Sequence, residues 1–514
     1  MLHQLGLKRG QVVMLLSPNS IQYAIVLLAA VAAGLKVTFA NPAYTASELA
    51  HQLQDSNAAC VFVHSAVLRT LEHALPTGFD AKRGVVLIQH TADIASSILS
   101  ERWLLLDDLL SGTRLMEPIR VEGEEAVRTS AFLYYSSGTT GKSKGVETTH
   151  HNMVSAFEMT THNWRAVESQ RYLLSSSRIR DIMLAVIPWY HITGGCATLM
   201  YAIHVAIPII VLPRFEPNTF LSAIEKYKPT VTVIAPPILL FFLNTPLLDR
   251  YDVRSLRTIL SGSAPASQSL IEGVALRLNQ RGASGMSPFE FPVAYGLTET
   301  SPGTHIVPPE WTTRKSGTVG RLMPNMEARL VDDSGRDVPK GSQGELWVKG
   351  SNVMKGYLNN PEATRNTITQ DGWLKTGDIA VIDEDGFCQI VDRKKELIKV
   401  KGFQVPPAEL EALLLQNPNV LDAGVIGVFS SEQQTEFPKA YVVPRDERLL
   451  ETSNSGRAQF SADVQQWVKQ RVVHYKQLRA GVILVRSIPR SAAGKILRRE
   501  LRNLASEGII GAKL

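Results

Sequence analysis

The sequence predicts an α/β fold in two parts: a large N-terminal domain of stacked α/β sheets that also carries a small β-barrel, and a small α+β domain at the C-terminal end. Three observations predict it. Apolar strands alternate with capped helices from residue 12 to residue 64. Short alternating strands separated by tight turns occupy residues 326 to 391. Beyond Lys395, helices and strands mix in a stretch of about 115 residues, a size able to fold alone. At 514 residues the chain exceeds what a single core serves, in keeping with more than one domain.

Composition narrows the class. With 44% hydrophobic and 20% charged residues and a mean hydropathy near zero, the chain is neither fibrous nor disordered. The longest apolar runs, residues 24–33 and 205–212, fall short of the ~20 residues a bilayer span needs, so no membrane span is expected. Cys60, Cys196 and Cys388 lie far apart, which excludes a Cys-rich zinc site, argues against a disulfide framework and fits a reducing compartment. Net charge is +6 and is carried by residues 395–514, with 18 Lys+Arg against 12 Asp+Glu, while the first 394 residues balance. A basic domain on a neutral one suits a shared polyphosphate ligand, the plainer reading being a solvated basic face. Nucleic acid is not expected, because the lysines and arginines are not interleaved with aromatics.

The first residues, MLHQLGLKRG, carry neither an apolar core segment nor a cleavage site and do not read as a signal peptide. Val12 to Leu16 reads as a buried strand. Asn19 or Ser20 caps a helix that ends at Gly34, with Ile21, Ile25, Leu28 and Ala32 on one face. Lys36 to Ala40 is the next strand, Thr45-x-x-Glu48 a capping box opening a second helix, and Ala59 to His64 a third strand. This is the rhythm of an open parallel sheet with helices on both faces. Then comes Phe132 to Val146, FLYYSSGTTGKSKGV, a β-prone run followed by serines, threonines, glycines and lysines. Glycines let backbone approach an anion, hydroxyls and N–H groups donate to phosphate oxygens, and lysines supply charge. The Walker A spacing fails, because its first glycine would fall at Ser136. On these residues alone a phosphate loop and a small-residue surface turn are equal readings.

Met183 to Gly195, MLAVIPWYHITGG, delivers Trp189, Tyr190 and His191 to the carboxyl end of a buried strand, where open α/β sheets place their ligands. A histidine after aromatics is more often a core residue. Val231 to Pro237 and Leu260 to Pro265 give two further strand ends. In Val293 to Ser301, VAYGLTETS, Tyr295 offers a flat face to a purine, Thr298 a hydroxyl to a phosphate and Glu299 a carboxylate to Mg²⁺, a hard cation that shares oxygen ligands with nucleotide phosphates. The alternative there is a turn followed by a helix cap. From Met326 the turns Asp333-Ser334-Gly335 and Asp385-Gly386 punctuate the barrel strands. The C-terminal part then reads helix (Ala408 to Leu415), strands (Val420 to Val428, Lys439 to Val443), helix (Ala462 to Leu478) and strand (Val482 to Val485).

Taken in order, FLYYSSGTTGKSKGV, PWYHITGG, LSGSAP, VAYGLTETS, WLKTGD, KELIKVKGFQ and SAAGK resemble the motifs of the adenylate-forming superfamily. That superfamily includes acyl-CoA synthetases, 4-coumarate-CoA ligases, firefly luciferases and peptide-synthetase adenylation domains. The resemblance covers nearly the whole chain and points to the acyl-CoA synthetase and 4-coumarate-CoA ligase branch. It implies an AMP-binding domain over residues 1–394 and a mobile lid over 395–514, hinged at Lys395. Members usually carry several dozen residues before the first strand, so a trimmed gene model lacking that segment is expected.

The resemblance also implies roles. Ser136, Ser137, Gly138, Thr139, Thr140, Gly141 and Lys144 would hold the β- and γ-phosphates of ATP, with Thr298 beside them. Ala294 and Tyr295 would meet the adenine, Asp378 the ribose, Arg393 the ribose or α-phosphate, and Glu299 the Mg²⁺. Lys495 would bridge the substrate carboxylate and the α-phosphate, and His191 would stand with Lys495, Thr298 and Glu299 among the catalytic groups. Tyr190, His191, Thr193, Gly262, Ser263, Val293 and Ile306 would line the acyl pocket; Arg214, Lys399, Lys401 and Gly402 would meet CoA. Two features bear on the substrate. Amino-acid-activating relatives carry an aspartate near the segment Pro188-Trp189-Tyr190-His191, which here has no carboxylate, so an acid without an α-amino group is favoured. Related ligases often have Gln-Gly where this chain has Val293-Ala294, a change read as altered substrate preference.

The function implied is an ATP-dependent acyl-CoA ligase that forms acyl-AMP and then a CoA thioester, with an aryl, phenylpropanoid or medium-chain acid as substrate. No Gly-x-Ser-x-Gly nucleophile elbow competes with it. The rivals are a luciferase-like adenylating oxygenase and a non-catalytic acyl-adenylate binder; the binder would be expected to have lost Glu299 or Lys495. Ala512-Lys513-Leu514 is a variant of the Ser-Lys-Leu address read by the peroxisomal import receptor, so a peroxisomal location is expected, or a cytoplasmic one without that signal.

Overall fold

The structure, a computed structural model, describes residues 5–89, 103–110, 117–136, 143–174, 181–262, 268–282, 291–312, 314–401, 403–491 and 494–506. The expected site residues Ser137 to Gly141, Ser263 and Gly402 and the C-terminal Ala512-Lys513-Leu514 lie outside them.

Strands Val12–Leu16, Lys36–Ala40 and Ala58–Val63 form where the apolar runs predict, and they pair in parallel. The helices between them begin at the residues whose side chains satisfy their first N–H groups. Ser20 accepts from Tyr23 N at 3.1 Å, opening helix Ile21–Ala32. Thr45 and Glu48 close a reciprocal capping box on helix Ala46–Ser56. The face of the first helix is a correction. Ile21 is 66% exposed and Leu28 46%, while Tyr23, Val26, Leu27 and Ala30 are buried. This helix is apolar nearly all round, so periodicity admits two stripes, and packing selects the one whose Tyr23 ring stands edge-on to Trp189, centroids 5.6 Å apart.

Among the described residues the first sheet has eight strands, in the spatial order Gly356–Tyr357, Lys144–Thr149, Ser130–Ser136, Lys36–Ala40, Val12–Leu16, Ala58–Val63, Val85–Leu87 and Leu104–Leu105. A second sheet, all parallel, runs Thr258–Ser261, Val231–Ile234, Met183–Ala185, Ile209–Val211. One continuous core joins the two, from Val13, Val37, Phe39 and Phe132 through Tyr23 and Val26 to Ala185 and Trp189. The expected barrel region takes the form of two antiparallel sheets. Met326–Val331, Gly344–Gly350, Leu374–Ile382 and Cys388–Arg393 make one, Ala294–Gly296, Gly303–Ile306 and Arg321–Leu322 the other, and a bridge between Gly320 and Cys388 joins them.

The C-terminal unit packs helices Pro407–Leu414 and Asn454–Lys469 and strand Val482–Leu484 around the long hairpin Val420–Ser430 and Thr435–Pro444. Its second helix is shifted from the expected 462–478. It starts at Asn454 because Ser453 accepts from Gly456 N at 3.3 Å, and it stops at Lys469, ahead of a separate turn at His474–Lys476. No helix among the described residues is long and apolar enough to cross a membrane. Cys60, Cys196 and Cys388 are buried and unpaired.

Candidate active site

Several chain segments meet at the carboxyl ends of the parallel strands. Strand Ser130–Ser136 ends with the Ser136 hydroxyl donating to Glu299 Oε1 at 3.1 Å. Glu299 sits beside Thr298 on the turn Thr298–Thr300, and the same oxygen accepts from Tyr357 Oη at 2.8 Å. Lys144, across the glycine-rich loop from Ser136, holds its ammonium 4.2 Å from the Tyr357 ring centroid. The acid, a lysine and a hydroxyl flanking the loop therefore share one small region. Apart from the Lys144 ammonium, its polar side-chain atoms are oxygens, the set a hard divalent cation takes, and no group of three His, Cys, Asp or Glu side chains gathers among the described residues. A single carboxylate suits a magnesium ion that completes its shell with substrate phosphates and water.

Next to it, the Tyr295 hydroxyl donates to Asp378 Oδ2, and Arg393 Nε lies 3.4 Å from Asp378 Oδ1. Asp378 and Arg393 face each other because their strands pair antiparallel at that register. Burial raises the Asp378 pKa, against the opposing pull of Arg393, Tyr295 and Lys495. Behind Tyr295 lies His305, 1% exposed, its ring centroid 6.0 Å away and its Nδ1 2.9 Å from Thr304 Oγ1. Burial pushes its pKa from 6.5 down to about 4. The unfolded chain then binds the proton more readily, so this stabilisation is complete above pH 6.5 and is lost as pH falls toward 4. We expect stability to fall between pH 6.5 and 4 by up to about 1.4 kcal/mol per pH unit from this group. Melting curves over that window should flatten in His305→Gln; equal slopes in both proteins would remove the linkage.

Lys495 arrives from the C-terminal unit. Burial lowers its pKa, with Arg393 adding to the effect and Asp378, Glu299 and Glu396 opposing it, so its amine stands within electrostatic reach of all four. The preceding Gly494 has φ +81°, and a Cβ there would fall 2.9 Å from Pro237 Cδ and 3.0 Å from Ala235 Cβ, so the Lys495 loop sits directly on the N-terminal domain. Arg445 Nη1, donating to Asn244 Oδ1 at 3.1 Å, makes a second contact between the two parts. His191 feels Lys495 as well: burial and then that positive charge push its pKa from 6.5 to about 3. Its Nδ1 accepts from Thr193 N at 3.3 Å, which holds a neutral ring in place. At the chain crossing, Lys394 is tied to Asp333 (2.8 Å) and Glu345 (2.9 Å), and Glu396 pairs with Arg498, which also grips Glu411 at 2.8 Å. Lys395, between these two anchors, is exposed.

Of the expected acyl-pocket residues, Gly262, Val293 and Ile306 come together. Ser261 bridges to Val293, Ala294 pairs with Ile306, and a Cβ on Gly262 would lie 3.3 Å from Ala294 O. Tyr190 is partly buried against the first core. Trp189, the residue before it, is 1% exposed in the core, its Nε1 donating to Thr198 Oγ1 at 3.1 Å. Arg214, Lys399 and Lys401 are exposed and are not gathered with the cleft residues. The two lysines sit on a hairpin of the C-terminal unit, where Lys399 N donates to Glu436 and Lys401 N to Thr435.

Sequence reasoning missed several members of this neighbourhood. Tyr357 is one. Asn352 is another, wholly buried and donating to Thr300 O (2.7 Å) and Gly303 O (2.8 Å) behind Glu299. His51 and Asp55, one turn apart on helix Ala46–Ser56, brace both ends of the glycine-rich loop: His51 Nε2 is 3.1 Å from Ser143 O and Asp55 Oδ2 accepts from Tyr135 at 2.6 Å. Their i, i+4 spacing on a capped amphipathic helix was the available signal.

Comparison with known proteins agrees with this arrangement. The AMP-binding enzyme family matches residues 1–358, and the AMP-binding enzyme C-terminal domain matches residues 409–495. The chain is 35% identical over 510 residues to a probable 4-coumarate-CoA ligase 1 of Dictyostelium discoideum, covering 98% of this chain and 87% of that protein. It is 36% identical over 510 residues to the peroxisomal OPC-8:0-CoA ligase 1 of Arabidopsis thaliana, covering 98% and 86%. The fold superposes with TM-score 0.75 and 25% identity on o-succinylbenzoate coenzyme A synthetase from Bacillus subtilis in complex with ATP and magnesium ion, covering 98% and 91%. With both of its domains matched and identity sustained along almost its whole length, the chain belongs to the AMP-binding, adenylate-forming enzyme family.

Proposed function

We propose that the protein is an ATP-dependent acyl-CoA ligase. The observation that carries this reading is the seating of the Lys495 loop, from the C-terminal unit, on Ala235 and Pro237 of the N-terminal one, with the buried amine within electrostatic reach of Glu299, Asp378 and Arg393. In the first half-reaction the carboxylate of the acid attacks the α-phosphorus of ATP and pyrophosphate leaves. Such chemistry needs alignment and charge neutralisation more than a protein nucleophile. Ser136 to Lys144 would grip the β- and γ-phosphates, Tyr295 and Ala294 would receive the adenine, and Asp378 would accept from both ribose hydroxyls. Glu299, with Thr298 beside it, would hold the magnesium ion, which supplies charge neutralisation to the triphosphate. Lys495 would span carboxylate and α-phosphate, its charge strengthened where water is excluded. The neutral His191 would stand at the mouth of the acyl pocket formed by Tyr190, Thr193, Gly262, Ser263, Val293 and Ile306.

For the second half-reaction the lid, residues 395–514, would turn about Lys395. The ties of Lys394 to Asp333 and Glu345 of the four-stranded antiparallel sheet and of Glu396 to Arg498 support a pivot confined to the residue between them. That turn would withdraw Lys495 and bring Lys399, Lys401 and Gly402, with Arg214, to the CoA thiol; completing a site by hinge motion is an established strategy. The substrate class we propose is an aryl, phenylpropanoid or medium-chain acid, as with the 4-coumarate-CoA and OPC-8:0-CoA ligases among the relatives. Screening such acids for AMP release should give turnover that depends on ATP and CoA together. Release of AMP without CoA, at the expense of O₂, would favour an oxygenase instead. Ala512-Lys513-Leu514 would direct the protein to the peroxisome; a fluorescent fusion lacking these residues that still reached the organelle would count against that address.

A further inference from the structure

Glu299 is held by a residue that the mechanism above does not use. The Tyr357 hydroxyl and the Ser136 hydroxyl donate to the same oxygen, Oε1, at 2.8 and 3.1 Å, while Oε2 accepts no hydrogen bond among the described residues. Tyr357 is 8% exposed, and the other side of its role is Lys144, whose ammonium lies 4.2 Å from the ring centroid. One side chain thus touches both the acid and a lysine of the phosphate loop. Its backbone is fixed independently. Gly356–Tyr357 pairs antiparallel with Val146 and Glu147 at the sheet edge, and Tyr357 N donates to Thr364 Oγ1 at 2.9 Å. The same segment secures the Glu299 backbone, because Met354 N donates to Glu299 O at 2.8 Å and Asn352 grips the carbonyls of Thr300 and Gly303.

We propose that Tyr357 is a positioning residue for adenylation: its hydroxyl fixes Glu299 through Oε1 so that Oε2 is presented to the magnesium ion, while its ring sets the Lys144 ammonium toward the triphosphate. The inference rests on the metal role given to Glu299. Groups that orient a metal-ligating carboxylate typically change metal affinity 10- to 100-fold when removed, although they never touch the ion.

Tyr357→Phe isolates the hydroxyl, since the ring over Lys144 and the packing persist. The test is titration of the full chain with Mn²⁺ in the presence of a non-hydrolysable ATP analogue, free Mn²⁺ being followed by electron paramagnetic resonance, with thermal melting alongside. We expect Tyr357→Phe to weaken Mn²⁺ binding roughly tenfold with metal-free nucleotide affinity and melting temperature unchanged. Tyr357→Leu should weaken nucleotide binding as well, through Lys144. Unchanged Mn²⁺ affinity in Tyr357→Phe, with or without a lower melting temperature, would overturn the proposal provided Glu299→Gln weakens the metal. If Glu299→Gln also left Mn²⁺ binding unchanged, the metal role of Glu299 would fall first and Tyr357 with it.

Discussion

Replacing Lys495 by alanine is expected to slow the first half-reaction roughly 10³-fold while transfer of a preformed acyl-adenylate to CoA stays within a few-fold of wild type. The size follows from position. A charge aimed at developing negative charge in a site screened from water is worth roughly 10²- to 10³-fold or more in rate. Lys495 would be such a charge: burial draws its pKa down, and its amine stands within electrostatic reach of Asp378 and Glu299. The asymmetry follows from the division of labour proposed for the lid, in which Lys495 serves only the adenylation orientation. Pyrophosphate exchange reads the first step and single-turnover thioester formation from synthetic acyl-adenylate reads the second. Equal losses in the two assays would contradict the assignment. The lysine's own stability cost is expected to be favourable or neutral, because the variant removes a cation held near Arg393.

The second large effect is expected at Asp378. Asp378→Asn keeps the shape and leaves an acceptor for Tyr295, so the fold should persist, but it removes the charge that two ribose hydroxyls would meet and that Arg393 faces at 3.4 Å. Hydrogen bonds to a charged group contribute ~1.5–3 kcal/mol each, so the combined loss should be about 3 kcal/mol, or roughly a hundredfold in the ATP concentration needed for half-maximal exchange. The dependence on the acid should change little. An unaltered ATP requirement in a folded variant would remove Asp378 from the nucleotide site.

These expectations draw unequally on sequence and structure. The capped helices at Ser20 and Thr45, the opening parallel strands and the turn-rich antiparallel region were legible because each is decided within a few residues, by a side chain meeting a backbone N–H or by an apolar run bounded by turn formers. The helix Asn454–Lys469 was misjudged because its start is set by one serine cap, and the apolar positions of the His474 turn that follows mimic its continuation. The candidate site was legible as a set of motifs. Which of them touch was not.

What the sequence determined by itself is the chemistry available: a glycine-rich loop, a Thr-Glu pair after an aromatic, an aspartate, an arginine and a lysine in a glycine-preceded turn, in an order that identifies the family. Tertiary structure alone decided which face of the first helix is buried, that Trp189 serves the core, and that Tyr357 and Asn352 support Glu299 from more than fifty positions away. The physical reason is range. Caps, turns and periodicity act over one or two turns of chain, whereas burial and hydrogen bonding between distant segments are selected by the packing of the whole domain, about which local residue order carries no direct record.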